Sequence, residues 1–263
     1  MTTDVQDHYD IRGKGPVLLI IPGGAGHPMG LEPMTDVLAD RFTVVTLDPL
    51  GLAHGRLGEP VADQRVEDWS DGASRVLNAV LGDGDSAFVL GSSAGAVAAL
   101  DLLARHPERL RHVVVHEPPV VGILPDGAEQ QARFRSVCDL YRTAGLTAAA
   151  QRMTAVLADQ EPQDDESTSP QPLSREEELS QPMALMLRHV LSPFTSYIPS
   201  PDLRATHLTV TSGTDSRGQL LHRTAELLAA STHSAFTEFP GGHLGPLEHP
   251  VAFAERLAET LKP

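Results

Sequence analysis

The chain has 263 residues, of which 41% are hydrophobic and 21% are charged, and its formal net charge at pH 7 is −15. This composition is sufficient for a large buried core and excludes a chain that is disordered as a whole. The negative charge disfavours nucleic acid and anionic membrane surfaces as partners, because like charges repel.

The cysteine content and the termini indicate the compartment. Cys138 is the single cysteine, which excludes an intrachain disulfide and a multi-cysteine metal site and fits a reducing interior. No stretch reaches the roughly 18 apolar residues of a membrane span, and residues 1–10 lack the features of a secretory signal. We therefore expect a cytoplasmic protein without membrane contact, either a monomer or a homodimer.

Short apolar runs alternate with helical stretches along most of the chain. Residues 5–15, which include Gly13-Lys14-Gly15, predict a hairpin at the start. The predicted strands that follow are residues 17–21, 42–47, 87–90, 112–115, 207–211 and 235–239. The predicted helices are residues 31–39, 66–81, 94–105, 218–230 and 250–261. This alternation predicts an α/β fold, with a mostly parallel central sheet and helices on both faces.

The alternation lapses between residues 118 and 202, where a largely helical segment replaces it. We expect residues 1–117 and 203–263 to form the core, and residues 118–202 to form a helical lid inserted into it. Residues 158–182 are rich in Asp, Glu, Gln, Ser and Pro. That composition predicts a solvated, acidic loop rather than a packed element, and we favour a disordered spacer over a functional loop.

A Gly-x-Ser-x-Gly pattern, Gly91-Ser92-Ser93-Ala94-Gly95, joins one predicted strand to an alanine-rich helix. A sharp turn in this context strains its central residue and raises it at the carboxyl edge of the sheet, where ligands bind. Ser93 is therefore the predicted nucleophile. The alternative is a glycine-rich turn in which the serine is incidental.

A serine nucleophile needs a base and an acid that orients the base. In proteins with this turn the chain order is serine, acid, histidine. His243 follows the last predicted strand and is the predicted base, with His249 as its nearest rival. Asp215, after the penultimate strand, is the preferred acid. Glu117, after the strand before the lid, is the alternative acid.

Attack on a carbonyl creates an oxyanion, for which fixed backbone N–H groups are suitable donors. Ala94 provides one at a helix N-terminus. The second is expected from the loop after the first parallel strand, at Gly24 or, as second choice, Ala25. Further predicted substrate contacts are Ala25, His27, Ser92, Met183, Met186, Leu187, Phe194, Tyr197 and Leu244. For the lid residues among them, packing against the core is the alternative.

These ordered motifs together resemble the α/β-hydrolase superfamily, from Val17 to the terminal helix. Residues 47–55 are similar to its Asp-x-Arg-Gly-x-Gly turn, with Leu50 where arginine is common, which makes Asp48 a turn-former. Pro22 replaces the histidine of the usual His-Gly-x loop, and Gly24 occupies the donor position after it. Residues 116–119 (His-Glu-Pro-Pro) and 215–219 also resemble actinobacterial α/β-hydrolases, mostly of unassigned function.

The predicted activity is hydrolysis of a small carboxylic ester or lactone through an acyl-enzyme, with a small molecule as substrate. Amide or aminopeptidase-type cleavage, transacylation, perhydrolysis and lyase chemistry are the alternatives, and the glycine-rich loop partly resembles that of proline iminopeptidases. A non-enzymatic ligand receptor is a third class. Haloalkane dehalogenation is disfavoured because it needs a carboxylate in place of Ser93. No metal or organic cofactor is implied, since the sequence carries neither a ligand cluster nor a dinucleotide motif.

Overall fold

The computed structural model describes residues 8–24, 30–49, 52, 61–161, 173–201, 203 and 205–262. The strands in these ranges are β1 (His8–Arg12), β2 (Val17–Ile21), β3 (Thr43–Asp48), β4 (Ala87–Ser92), β5 (Leu110–His116), β6 (Leu208–Gly213) and β7 (Ala235–Phe239). They form one sheet in the order β1-β3-β2-β4-β5-β6-β7, in which β1 is antiparallel and the other pairs are parallel. The predicted parallel strands are all present.

The described helices surround this sheet. They are α1 (Glu32–Ala39), α2 (Val66–Val80), α3 (Ala94–Arg105), α4 (Gly127–Ala144), α5 (Leu146–Leu157), α6 (Arg175–Ser180), α7 (Pro182–Leu185), α8 (Leu191–Thr195), α9 (Leu220–Thr232), α10 (Gly245–Glu248) and α11 (Pro250–Thr260). A π-helical turn, Met186–Val190, joins α7 to α8. Among the described residues, no helix has the length and hydrophobicity needed to span a membrane.

The central strands of the sheet are buried on both faces. Successive side chains of a strand point to opposite faces and therefore enter different clusters. In β2, Leu18 and Ile20 pack into a cluster with α1 and α11. Leu19 and Ile21 pack into the larger cluster with α2, α3, α9 and the helices that follow β5. This confirms the predicted α/β-hydrolase fold, a mostly parallel sheet with helices on both faces.

The predicted hairpin at the start of the chain is wrong. Strand β1 pairs antiparallel with β3, so that Tyr9 lies opposite Leu47. Strand β2 has no free edge for β1, because β3 and β4 occupy its two sides. Gly13, at a φ of +78°, lies against the backbone of Ala39 and Phe42, and this close approach carries the chain past β3 into β2.

Helices α4 to α8 lie between β5 and β6 and include part of the predicted acidic loop. Helix α6 begins with a capping box in which Ser174 and Glu177 satisfy each other's backbone N–H groups. The buried Glu178 accepts hydrogen bonds from the Tyr141 hydroxyl at 2.9 Å and from Arg188 at 2.7 Å. The prediction of a solvated loop is therefore wrong for Arg175–Ser180, because this segment is a helix and its Glu178 is buried against Tyr141 and Arg188, whereas Glu176 and Glu177 are exposed. Residues 162–172 lie outside the described ranges.

Candidate active site

Ser93 lies at the turn between β4 and α3 with a φ of 54° and a ψ of −120°. A positive φ at a residue with a side chain is strained, and the surroundings must hold it. The Ser93 N–H donates to the His116 carbonyl at 2.9 Å. On either side, a Cβ at Gly91 would clash with the Gly95 carbonyl, and one at Gly95 would clash with the Ile21 carbonyl. The local sequence thus allows the strained turn that the Gly-x-Ser-x-Gly pattern predicts.

His243 lies in the segment between β7 and α10. Its Nδ1 donates to Glu117 Oε2 at 2.9 Å. The His243 side chain is 19% exposed, whereas that of Glu117 is 1% exposed. Because Nδ1 carries the proton in this hydrogen bond, Nε2 of the neutral ring is left as an acceptor. The rival base, His249, is exposed and precedes α11.

Glu117 is buried at the end of β5 among hydrogen-bond donors. Its Oε1 accepts from Ser212 Oγ at 2.8 Å and from the Gly213 N–H at 2.9 Å. The side chain of Ser216 also hydrogen-bonds to this carboxyl group. Burial raises the pKa of Glu117. The hydrogen bond from His243, the attraction to the ring of His243 when it is protonated, and the bond from Ser216 outweigh burial and hold the pKa well below its usual value. Glu117 is therefore a buried carboxylate.

The preference for Asp215 as the partner of His243 is wrong. Asp215 lies in a short 3-10 turn after β6, its side chain is exposed, and its Oδ1 accepts from Thr214 Oγ1 at 3.3 Å. Its own N–H donates to the Gly241 carbonyl at 3.0 Å. The turn takes Asp215 out to solvent, so the contact with His243 falls to the alternative acid, Glu117.

The two predicted oxyanion donors, Gly24 and Ala94, lie at the ends of neighbouring elements. Ala94 is the first residue of α3, where an N–H has no partner within the helix. Gly24 follows β2 and is buried, and a Cβ there would lie 2.5 Å from Met186 Cγ. Gly24 and Ala94 line the same cavity as Ser93. Ala25, the second choice, and His27 lie outside the described residues.

A cavity of about 560 Å³ lies against Ser93 and His243 and is lined mostly by apolar side chains. It contains most of the predicted pocket residues that the structure describes: Ser92, Met183, Met186, Leu187, Phe194 and Leu244. Tyr197 is not among them, and its prediction is wrong, because its hydroxyl donates to Asp101 of α3 at 3.2 Å. Exposed Asp215 and Glu248 also lie in the lining.

Sequence reasoning missed a second apolar wall of this cavity, on α4 and α5. Phe134, Ala150, Met153 and Leu157 line it. The sequence signal is the spacing of Ala150, Met153 and Leu157 along α5, because steps of three and four residues place side chains on one helical face. Within the described ranges, no three His, Cys, Asp or Glu side chains come together in a way that could hold a metal ion.

Comparison with known proteins identifies the family of the chain. A family model described as the alpha/beta hydrolase family matches residues 17–256. An uncharacterized hydrolase, YraK, from Bacillus subtilis is 29% identical over 97% of this chain and 92% of its own length.

Solved structures share the fold at low identity. A thermophilic esterase from Thermogutta terrifontis has a TM-score of 0.69 at 20% identity, over 97% of this chain and 92% of its own. The enol-lactonase from Burkholderia xenovorans LB400 has a TM-score of 0.60 at 16% identity, over 97% and 96% of the two chains. The match along nearly the whole chain, on a sheet that carries Ser93 and His243 at its carboxyl edge, shows that the chain belongs to the alpha/beta hydrolase family and is a hydrolase of that fold.

Proposed function

We propose that Ser93, His243 and Glu117 form a catalytic triad that hydrolyses a small carboxylic ester or lactone. The observation that carries this proposal is the 2.9 Å hydrogen bond from His243 Nδ1 to the buried Glu117 carboxylate, beside a strained Ser93 on the same cavity. A histidine held in this way presents Nε2 as a base. The nearby serine hydroxyl is the group in the cavity that such a base activates.

The reaction proceeds in two acyl-transfer steps. Ser93 Oγ attacks the carbonyl carbon while His243 Nε2 takes its proton, and Glu117 stabilises the imidazolium. The N–H groups of Gly24 and Ala94 donate to the oxyanion. His243 then returns the proton to the leaving alkoxide as the C–O bond breaks. Water, deprotonated by His243, then attacks the acyl-enzyme, and His243 returns that proton to Ser93 Oγ as the Oγ–acyl bond breaks and the carboxylic acid is released.

The cavity supports a substrate with an apolar acyl or alcohol group. Its walls are formed by apolar side chains of α1, α4, α5 and the π-helical turn, with few polar groups away from Ser93 and His243. In the proposal, residues 118–202 act as a lid that excludes water from the acyl-enzyme. The shared fold of an esterase and an enol-lactonase is consistent with ester or lactone chemistry.

Aminopeptidase-type cleavage has less support, because it requires free acidic lid residues that bind the amine of the substrate. Glu177 is engaged in the capping box of α6, and Glu178 is paired with Tyr141 and Arg188. These two carboxylates are therefore used within the fold.

A fluorophosphonate probe tests the nucleophile, with the neighbouring serine as a matched control. Wild type and Ser92→Ala should be labelled and should hydrolyse short p-nitrophenyl acyl esters, whereas Ser93→Ala should do neither. Both serines line the cavity, so the comparison separates reactivity from access. Labelling that persists in Ser93→Ala, or a folded wild type that is not labelled, would overturn the proposal.

A further inference from the structure

The side chain of His116 lies next to the proposed triad and takes no part in the acyl-transfer steps described above. It is the last residue of β5, is 0% exposed, and packs edge-on against Phe253 with ring centroids 5.1 Å apart. Its Nε2 lies 3.2 Å from the Gly242 carbonyl oxygen, and its Nδ1 lies 3.1 Å from Thr211 Oγ1. An imidazole in an apolar core is costly unless both nitrogens have partners. Both do here.

The chemistry of the two partners fixes the tautomer. A carbonyl oxygen only accepts, so Nε2 of His116 carries the proton and donates to Gly242. Nδ1 is then the acceptor for the Thr211 hydroxyl, which lies 3.1 Å from it and 3.3 Å from its other acceptor, the Val115 carbonyl oxygen. Burial lowers the pKa of His116 to about 4, with smaller opposed effects from Glu117 and His243, so the ring is neutral near pH 7.

The carbonyl that His116 holds belongs to the peptide group leading into His243. The Gly245 N–H donates to the same oxygen at 2.9 Å, so the Gly242 carbonyl is held by two donors. The same peptide plane contains the backbone nitrogen of His243, so a fixed plane holds one end of the residue whose ring contacts Glu117. Gly242 itself has no side chain that could do so.

The backbone of residue 116 also contacts the other two members of the triad. Its carbonyl accepts the Ser93 N–H at 2.9 Å, and Glu117 follows it directly in the chain. The end of β5 thus contacts the nucleophile, carries the acid and, through the imidazole, holds the loop of the base.

We propose that His116 is a positioning residue whose Nε2–H aims His243 at Ser93 through the Gly242 carbonyl. This inference rests on the proposed triad. A residue with a merely structural role would contribute its ring to the packing against Phe253, and the bond to Gly242 would be dispensable for turnover.

An isosteric pair of variants separates these roles. The amide nitrogen of Gln occupies the place of histidine Nε2 and can donate to Gly242, whereas that of Asn occupies the place of Nδ1 and cannot. We expect His116→Asn to lower kcat on p-nitrophenyl esters roughly 10–100-fold with KM within about twofold, since a small misplacement of a catalytic group costs about this much. His116→Gln should keep most of the wild-type kcat.

His112 is the matched control, because it lies in the same strand and its Nε2 contacts a threonine hydroxyl, that of Thr209, at 2.8 Å. His112→Asn should leave kcat within about twofold of wild type. Fluorophosphonate labelling should slow in His116→Asn in proportion to kcat, and circular dichroism reports whether each variant is folded.

Equal losses of kcat in folded His116→Asn and His116→Gln, or no loss in either, would overturn the inference. If His116→Asn does not fold, the test rests on folded His116→Gln. A loss of kcat at unchanged KM in His116→Gln would overturn the inference, and a wild-type kcat would support it. Failure of the triad itself appears separately, as labelling of Ser93→Ala.

Discussion

The ends of strands β5 and β6 lie side by side in the sheet, and each is followed by an acidic residue. Glu117, directly after β5, is 1% exposed and accepts hydrogen bonds from Ser212, Gly213 and His243. Asp215, after β6, is exposed and has the weak partner Thr214. The difference teaches that the acid paired with a histidine is determined by burial and available donors, and less by the order of motifs along the chain.

The end of β6 contributes to this difference because it supplies hydrogen-bond donors to Glu117 at the end of β5. Ser212 and Gly213 are the last two residues of β6, and both donate to the carboxylate at the end of β5. A buried carboxylate needs such donors to remain ionised. The 3-10 turn that follows then carries Asp215 away to the surface.

Exchanging each acidic residue for its amide should produce the largest difference in kcat between the two strand ends. Glu117→Gln should lower kcat on the order of 10³–10⁴-fold, because the amide no longer stabilises the imidazolium or fixes the tautomer of His243. Asp215→Asn should stay within about threefold of wild type. Steady-state kinetics on p-nitrophenyl esters measures both, and a larger loss for Asp215→Asn would return the role of the acid to the end of β6.

Acid should destabilise the end of β5. The folded-state pKa of His116 is about 4 against a usual 6.5, so between these values the unfolded chain binds a proton that the folded chain does not. The stabilisation is complete above pH 6.5 and is lost as the pH falls towards 4, by about 3 kcal/mol. The lowered pKa of Glu117 adds a further loss below pH 4.5.

Urea unfolding between pH 7 and pH 4.5 measures this dependence. In His116→Gln the slope of the unfolding free energy against pH should be smaller than in wild type. Burial also lowers the pKa of His112, but that residue is unchanged in both proteins and cancels in the comparison. Identical slopes would show that His116 does not titrate as its burial requires.

Removing the hydroxyl group that donates to each acidic residue should have the smallest effect on kcat. Ser212→Ala deletes a 2.8 Å bond to buried Glu117, and we expect kcat to fall about 10-fold, since a bond to a charged group is worth about 1.5–3 kcal/mol. Thr214→Ala deletes the 3.3 Å bond to exposed Asp215 and should change kcat by less than about twofold. Equal effects in the two variants would remove the distinction between the strand ends.

The strands, most helices and the Ser93 turn could be predicted because their signals are local. Apolar runs mark the strands, and the two glycines around Ser93 are required by contacts at the turn itself. The acid could not be chosen in this way, because the donors to Glu117 come from residues about 95 positions away in the chain. Likewise, the pairing of β1 with β3 and the burial of Glu178 depend on elements distant in sequence.

Low-field proton NMR of the protein in water tests the pairing of Glu117 with His243 most directly. A proton shared between a histidine Nδ1 and a carboxylate resonates well downfield of the backbone amides. We expect this signal in wild type and in Asp215→Asn, and we expect it to be absent in Glu117→Gln. A signal that survives Glu117→Gln and disappears in Asp215→Asn would contradict Glu117 as the acid that orients His243.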